Sequence, residues 1–200
     1  WGDSKDALKN VSSEITSNFN VGMGLFPTDY CSCPMTGSQA LDHREDVQSM
    51  TDTFYTNEIN SWPSSANGCW TPTATALDEI DAQSYYEMPS DPQNADRSKA
   101  VILITDGSPN CGDTVTDTAD AAAALNNQGV PVYVVGFSGV SESNMQTIAA
   151  AGGSQNPNSS DDWYEVSSTS SLVTALQSIA TLQVSCTVTV SPNSTDDWNR

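Results

Sequence analysis

The chain contains little positive charge. Its 200 residues include 6 Lys and Arg against 25 Asp and Glu, so its formal net charge is −19. Because nucleic acids and anionic membranes are bound through Lys and Arg, we expect neither as a partner. The sequence also lacks a run of roughly 18 apolar residues, so we expect no membrane insertion by this segment. An acidic chain favours cation binding and an extracellular setting, although acidic surfaces also serve solubility alone.

Motifs of the common enzyme classes are absent as well. The chain has neither the Gly-x-x-x-x-Gly-Lys-Ser/Thr motif of nucleotide hydrolases nor the Gly-x-Ser-x-Gly motif of hydrolases. Its one histidine, His43, lies in a polar segment where we expect it to be solvent-exposed, with no catalytic partner nearby. Cys31 and Cys33 lack the paired spacing of a zinc site. We therefore predict that the protein is not an enzyme.

The segment AVILITDGSPN, residues 100–110, is the most informative in the chain. Its apolar and β-branched run predicts a strand that is buried on both faces, as in parallel sheets. Asp106 ends this run, and open α/β sheets bind their ligands at the carboxyl ends of their strands. Asp-Gly is also a common turn pair, so Asp106 has a purely structural interpretation too.

Strand-like and helix-like segments alternate along the rest of the chain, which predicts an α/β fold: a doubly wound, mostly parallel sheet with helices on both faces. Thr71 is the predicted N-cap of a helix whose first residue is Pro72. Strands are predicted at 21–26, 100–105, 131–137 and 163–166, and helices at 3–17, 44–58, 71–82, 117–128, 142–151 and 170–182. We expect the first three strands to be mutually parallel in one sheet, with 100–105 away from its edge.

Residues 183–200 follow a different pattern. Apolar and polar residues alternate strictly from Val184 to Val190, which is typical of a half-buried, antiparallel strand. We therefore divide the chain into a domain at 1–182 and an exit strand with a linker at 183–200, which is a possible start of a β module.

Three segments resemble the von Willebrand factor A domain, the family that includes integrin I domains. These are CWTPTATALDEI, RSKAVILITDG and GVPVYVVGF, and the resemblance covers residues 1–182. It implies a secreted or surface-displayed domain for adhesion and ligand binding, and the cysteine-bearing loops favour a bacterial protein. The alternative is a structural module of a surface filament or envelope assembly.

The resemblance also implies a site for a divalent cation, Mg²⁺ or Ca²⁺. By motif, Thr71 and Asp106 match two of the three segments that hold the ion in this family. The third, an Asp-x-Ser-x-Ser loop, does not occur in this sequence, so the site is incomplete in this chain. In the family, a free coordination position accepts a carboxylate from a partner, and we expect a protein or glycan ligand.

The resemblance begins abruptly at the first helix, which implies that the family's first strand would precede Trp1. We expect an unfilled slot beside strand 100–105, and we expect a β-strand from upstream sequence or from another chain to occupy it.

Five cysteines in an acidic, lysine-poor chain indicate an extracellular or cell-surface protein with disulfides. We expect Cys186 to be free or paired outside the chain, because the odd number leaves one cysteine over. Four cysteines, which we place in loops near the strand carboxyl ends, allow three connectivities. Our first choice is Cys33–Cys69 with Cys31–Cys111.

Overall fold

The computed structural model describes residues 2–28, 31–64 and 70–184. Five strands and eight α-helices occur in these residues, with a single 3₁₀ turn at Asn94–Asp96. The strands are β1 (Val21–Leu25), β2 (Asp42–Gln48), β3 (Val101–Thr105), β4 (Val132–Phe137) and β5 (Tyr164–Val166). The helices are α1 (Gly2–Asn10), α2 (Ser12–Asn18), α3 (Gly37–Ala40), α4 (Asp52–Ser61), α5 (Thr73–Gln83), α6 (Val115–Asn127), α7 (Glu142–Ala151) and α8 (Thr169–Val184).

A parallel sheet of three strands, in the order β3-β4-β5, forms the centre of the fold. In β4 the side chains alternate between two faces, as the pleat of a strand requires. Val132 and Val134 pack with residues of α5, α6 and α7, whereas Tyr133 and Val135 pack with residues of α1 and α8. Both faces are therefore covered by helices, which confirms the predicted α/β class.

The predictions for residues 21–58 are partly wrong. β1 does not join the parallel sheet but pairs antiparallel with β2. The predicted helix at 44–58 is instead β2 followed by α4, because Thr51 accepts a hydrogen bond from the Phe54 N–H and starts a helix there. Phe54 on α4 is 44% exposed. A Cβ on Gly22 would lie 3.0 Å from the Val47 side chain, so β1 and β2 approach closely.

Strand β3 lies at the edge of its sheet. Within the described residues it pairs with β4 on one side only, so the prediction that it lies away from the edge is wrong. Ile102 on this strand is 40% exposed, although it belongs to an apolar run. Leu8 and Ile15 pack against both the cluster beneath β4 and the cluster that includes β1 side chains. The same helices thus support both sheets.

The predicted helices agree with the structure elsewhere, with shifted ends. The first is divided at Val11 into α1 and α2, and α5 starts at Thr73 after Pro72, so Thr71 is not its N-cap. α8 continues to Val184, past the predicted domain end at 182. The predicted exit strand therefore begins on a helical residue, and its remainder lies outside the described residues. No helix of the described chain has the length and apolarity needed to cross a membrane.

Candidate functional site

Asp106 follows β3 directly and is exposed at the carboxyl end of the strand. The turn after the strand is held by the buried hydroxyl of Thr105. This hydroxyl donates to the Gly107 carbonyl over 3.2 Å and accepts from the Gly107 N–H over 3.3 Å. Because Thr105 satisfies the backbone of the turn, the Asp106 carboxylate is not required for it.

Thr71 lies beside this turn. Its Oγ1 is 3.3 Å from the position that a Cβ on Gly107 would occupy. A side chain at position 107 would therefore press on the Thr71 hydroxyl, so glycine permits the close approach. The structure thus places Thr71 next to the residue that follows Asp106, at the carboxyl end of β3. Their role as metal ligands stays a prediction.

Asn110 fixes the orientation of Thr71. Its Oδ1 accepts from the Thr71 N–H over 2.6 Å, and its own N–H donates to the Thr71 carbonyl over 2.9 Å. The amide Nδ2 also lies 3.5 Å from Thr71 Oγ1. This reciprocal pairing connects the segment before α5 to the β3–α6 loop. Asn110 was not predicted as a site residue, because its only signal in the sequence is its place in a turn-rich segment.

Asp113 holds the start of α5 from the same loop. Its Oδ2 accepts from the Thr75 N–H and its Oδ1 from the Thr75 hydroxyl, both over 2.9 Å. The first N–H groups of a helix have no partner within the helix, so this carboxylate acts as the cap that Pro72 cannot provide. Asp113 was not predicted either, because 38 residues separate it from Thr75 in the sequence.

A disulfide between Cys33 and Cys111 joins the segment before α3 to the β3–α6 loop. Both pairings of our first choice, Cys33–Cys69 and Cys31–Cys111, are therefore wrong. The reason is packing: Met35 and Ala40 share a hydrophobic cluster with Cys111, which brings the Cys33 segment to this loop. Cys31 is also disulfide-bonded. Cys69 and Cys186 lie outside the described residues.

Carboxylates on α5, on the first turn of α6 and in the loop before α6 repel one another. Partial burial raises the pKa of Asp78, and the charges of Asp113, Asp81 and Asp117 raise it further. Asp117 is itself committed to α6, where hydrogen bonds from the Thr114 side chain and N–H lower its pKa. Negative charge therefore accumulates between α5 and the start of α6.

His43 lies apart from this site and is less exposed than we expected. Its side chain is 25% exposed and stacks on Tyr85, with ring centroids 3.7 Å apart. Its Nε2 lies 2.8 Å from Oδ1 of Asp46. The ring thus packs β2 against the chain that follows α5, a structural contact that the polar sequence did not reveal.

The donors at the carboxyl end of β3 suit a hard cation. The hydroxyl of Thr71 and the carboxylate of Asp106 are oxygen ligands of the kind that Mg²⁺ and Ca²⁺ prefer. Two donors do not form a complete protein site, and the described residues contain no group of three or more His, Cys, Asp or Glu placed to hold a metal. The residues present thus fit part of a cation site.

Comparison with protein families gives a match over residues 3–178 to the von Willebrand factor type A domain. No curated protein sequence matches significantly.

Solved structures with similar folds include proximal thread matrix protein 1 from the mussel byssus with a zinc-occupied MIDAS motif, which has a TM-score of 0.65 and 21% identity. They also include BatB from Bacteroides thetaiotaomicron (0.61, 19%) and manganese-loaded TRAP protein from Plasmodium vivax (0.58, 18%). The alignment with the byssus protein covers 88% of this chain and 41% of that chain. The corresponding values are 91% and 87% for BatB, and 86% and 63% for the TRAP protein. The chain thus spans about two fifths of the byssus protein.

Proposed function

The chain belongs to the von Willebrand factor type A domain family, and from this premise we propose that it is an extracellular, non-enzymatic adhesion domain. It binds a protein or glycan ligand through a divalent cation, Mg²⁺ or Ca²⁺, at the carboxyl end of β3. The observation that carries the proposal is the close approach of the Thr71 hydroxyl to Gly107, the residue that follows Asp106.

The chemistry of the site supports a bound cation. Thr71 would offer its hydroxyl from a backbone that Asn110 holds in place, and Asp106 would offer an exposed carboxylate. Neither oxygen belongs to a strong structural hydrogen bond, so both are accessible to an ion or to its water shell. When bound, the ion supplies an open coordination position for a carboxylate or hydroxyl of the ligand.

Two of the similar structures contain a metal ion, which supports the proposal of a cation site. The byssus protein has zinc in its MIDAS motif, and the TRAP protein is loaded with manganese. The Cys33–Cys111 disulfide supports an extracellular location, since disulfides persist in oxidising compartments.

Replacing Asp106 with alanine tests the cation site. In the complete protein that carries this chain, we expect D106A to weaken Mg²⁺ binding roughly tenfold or more, as loss of groups at metal sites generally does. Calorimetric titration with Mg²⁺ and with Ca²⁺ measures the effect. Thr71→Val should also weaken binding, whereas Thr71→Ser should retain it because the hydroxyl remains.

Asp161→Ala is the matched control. Asp161 is exposed and precedes β5, so it lies at the amino end of the parallel sheet, opposite Asp106. An acidic residue at that end should not affect the ion. Unchanged Mg²⁺ affinity in D106A, or an equal loss in D161A, would reject the proposed site.

We also propose that a β-strand from outside this chain, either from upstream sequence or from another chain, pairs with the open edge of β3. Backbone groups on that edge need hydrogen-bond partners, and Ile102 offers apolar surface for a strand to cover. β1 and β3 are supported by the same helices but belong to separate sheets and do not pair with each other.

Hydrogen exchange tests this second proposal. In the 200-residue chain alone, the β3 amides that do not bond to β4 should exchange quickly. In the complete protein they should become protected by at least about tenfold, because a neighbouring strand accepts their hydrogens. The amides of β4, which lies between two strands, serve as the internal control. Equal protection of the β3 edge in both samples would contradict a docking strand.

The alternative function is that of a structural module in a surface filament or envelope assembly. It is favoured by the similarity to a thread matrix protein, of which the chain matches 41%. The Mg²⁺ titration separates the two candidates: a complete protein that assembles normally but binds no divalent cation would be a scaffold.

A further inference from the structure

Trp70 is a large apolar side chain left in solvent beside the candidate cation site. Three such side chains are exposed among the described residues: Phe54 on α4, Ile102 on the edge of β3, and Trp70 at 42% exposure. Trp70 immediately precedes Thr71, so its position is linked to the contacts of that residue. Tryptophan is enriched among the residues that contribute most of the binding energy at protein interfaces. An exposed tryptophan beside a candidate site therefore indicates a residue that contacts a partner.

The indole ring of Trp70 is held in place. Its Nε1–H donates to the carbonyl of Cys31 over 3.2 Å. Cys31 is disulfide-bonded. Thr71, which follows Trp70 in the chain, is held through its backbone by hydrogen bonds with Asn110. The polar group of the ring is therefore satisfied while part of its surface stays in water. A side chain that is already ordered loses less entropy when a partner covers it.

The charges around Trp70 determine the chemistry of that partner. Asp106 is exposed and precedes Gly107, which the Thr71 hydroxyl approaches. Asp113 accepts hydrogen bonds from Thr75 in the first turn of α5. Partial burial raises the pKa of Asp78, and the charge of Asp113 raises it further, so Asp113 adds negative charge beside α5. Each Lys or Arg in the described chain bonds elsewhere: Lys5 to Trp62, Lys9 to Asp6, Arg44 to Asp42 and Glu58, Arg97 to Asp91, and Lys99 to Glu87.

We propose that Trp70 is a contact residue for a basic segment of a protein partner, with an arginine or lysine of that segment lying on the indole face. An aromatic face attracts a cation, and the nearby carboxylates strengthen this attraction. A neutral saccharide would gain nothing from the negative potential, so the charges favour a cationic polypeptide. The contact goes beyond the proposed function, because it requires no divalent ion.

Binding of a fluorescein-labelled hexa-arginine peptide, followed by fluorescence anisotropy at low ionic strength with EDTA present, tests this inference. We expect Trp70→Ala to weaken the affinity of the chain by about two- to fivefold, the range for an exposed cation–π contact. Trp70→Phe should lose less, because an aromatic face remains. EDTA separates this result from the cation site, so failure of Mg²⁺ binding leaves it unaffected.

Phe54→Ala is the matched control, since Phe54 is an exposed aromatic side chain on α4. Its loss should leave peptide affinity unchanged, and thermal unfolding should show that both alanine variants are folded. Equal affinity in wild type and Trp70→Ala would overturn the proposal, as would an equal loss in Phe54→Ala. Trp70-dependent binding of a labelled hexa-glutamate peptide or of a neutral oligosaccharide would also overturn it.

Discussion

Replacing both Cys33 and Cys111 with serine is expected to lower the free energy of unfolding by about 4 kcal/mol. The disulfide closes a segment with a sequence separation of 78 residues. A crosslink over such a length strongly restricts the unfolded chain, and typical contributions are about 2–4 kcal/mol, rising with loop length. Equilibrium unfolding in urea, without reductant, measures the loss.

The single variant Cys33→Ser provides the control for this measurement. It breaks the same bond and keeps Cys111, so it should lose nearly as much stability as the double variant. A loss below about 1 kcal/mol in both would mean that the unfolded chain is not restricted by this bond. Because Asn110 and Asp113 flank Cys111, we also expect the loop that orients Thr71 to become less ordered in both variants.

Truncating Leu77 to alanine should cost about 3 kcal/mol of unfolding free energy, within the range for buried leucines. Leu77 on α5 is 2% exposed and belongs to the cluster that includes Leu103 of β3. This packing holds the helix that follows Thr71 against the strand that precedes Asp106. Urea unfolding measures the stability loss.

Two further variants define the expected scale. Leu77→Met conserves volume and should cost less than about 1.5 kcal/mol. Phe54→Ala removes an exposed side chain and should change stability by no more than about 0.5 kcal/mol. If Leu77→Ala were as mild as Phe54→Ala, the packing of α5 on β3 would not contribute to the stability of this fold.

Much of the fold could be predicted because its central strands have a simple composition. β3 and β4 are apolar and β-branched, and strands buried on both faces require such residues. β2 could not be predicted in the same way, since its sequence DHREDVQ carries mostly polar side chains. Its conformation depends on pairing with β1 and on the stacking of His43 against Tyr85, which are contacts between distant segments.

In the candidate site, too, local sequence patterns could be interpreted, whereas contacts between distant segments could not be predicted. Thr71 and Asp106 were predicted from motifs that lie within short segments, and their role as ligands stays a prediction. Asn110 and Asp113 were missed, because their partners lie 39 and 38 residues away in the chain. The disulfide pairing failed for a similar reason: several connectivities satisfy the spacing of the cysteines, and only the packing of the α3 segment selects Cys33–Cys111.

The open edge of β3 has a consequence for the behaviour of this chain when it is handled by itself. Sheet edges in soluble proteins are generally blunted by charges, bulges or proline, whereas the residues of β3 are VILIT. In the described part of the chain no other segment pairs with this apolar edge, so it is a template for pairing between identical molecules. Concentrated samples of the isolated chain should consequently self-associate through β3, and a lysine in place of Ile102 would oppose that association.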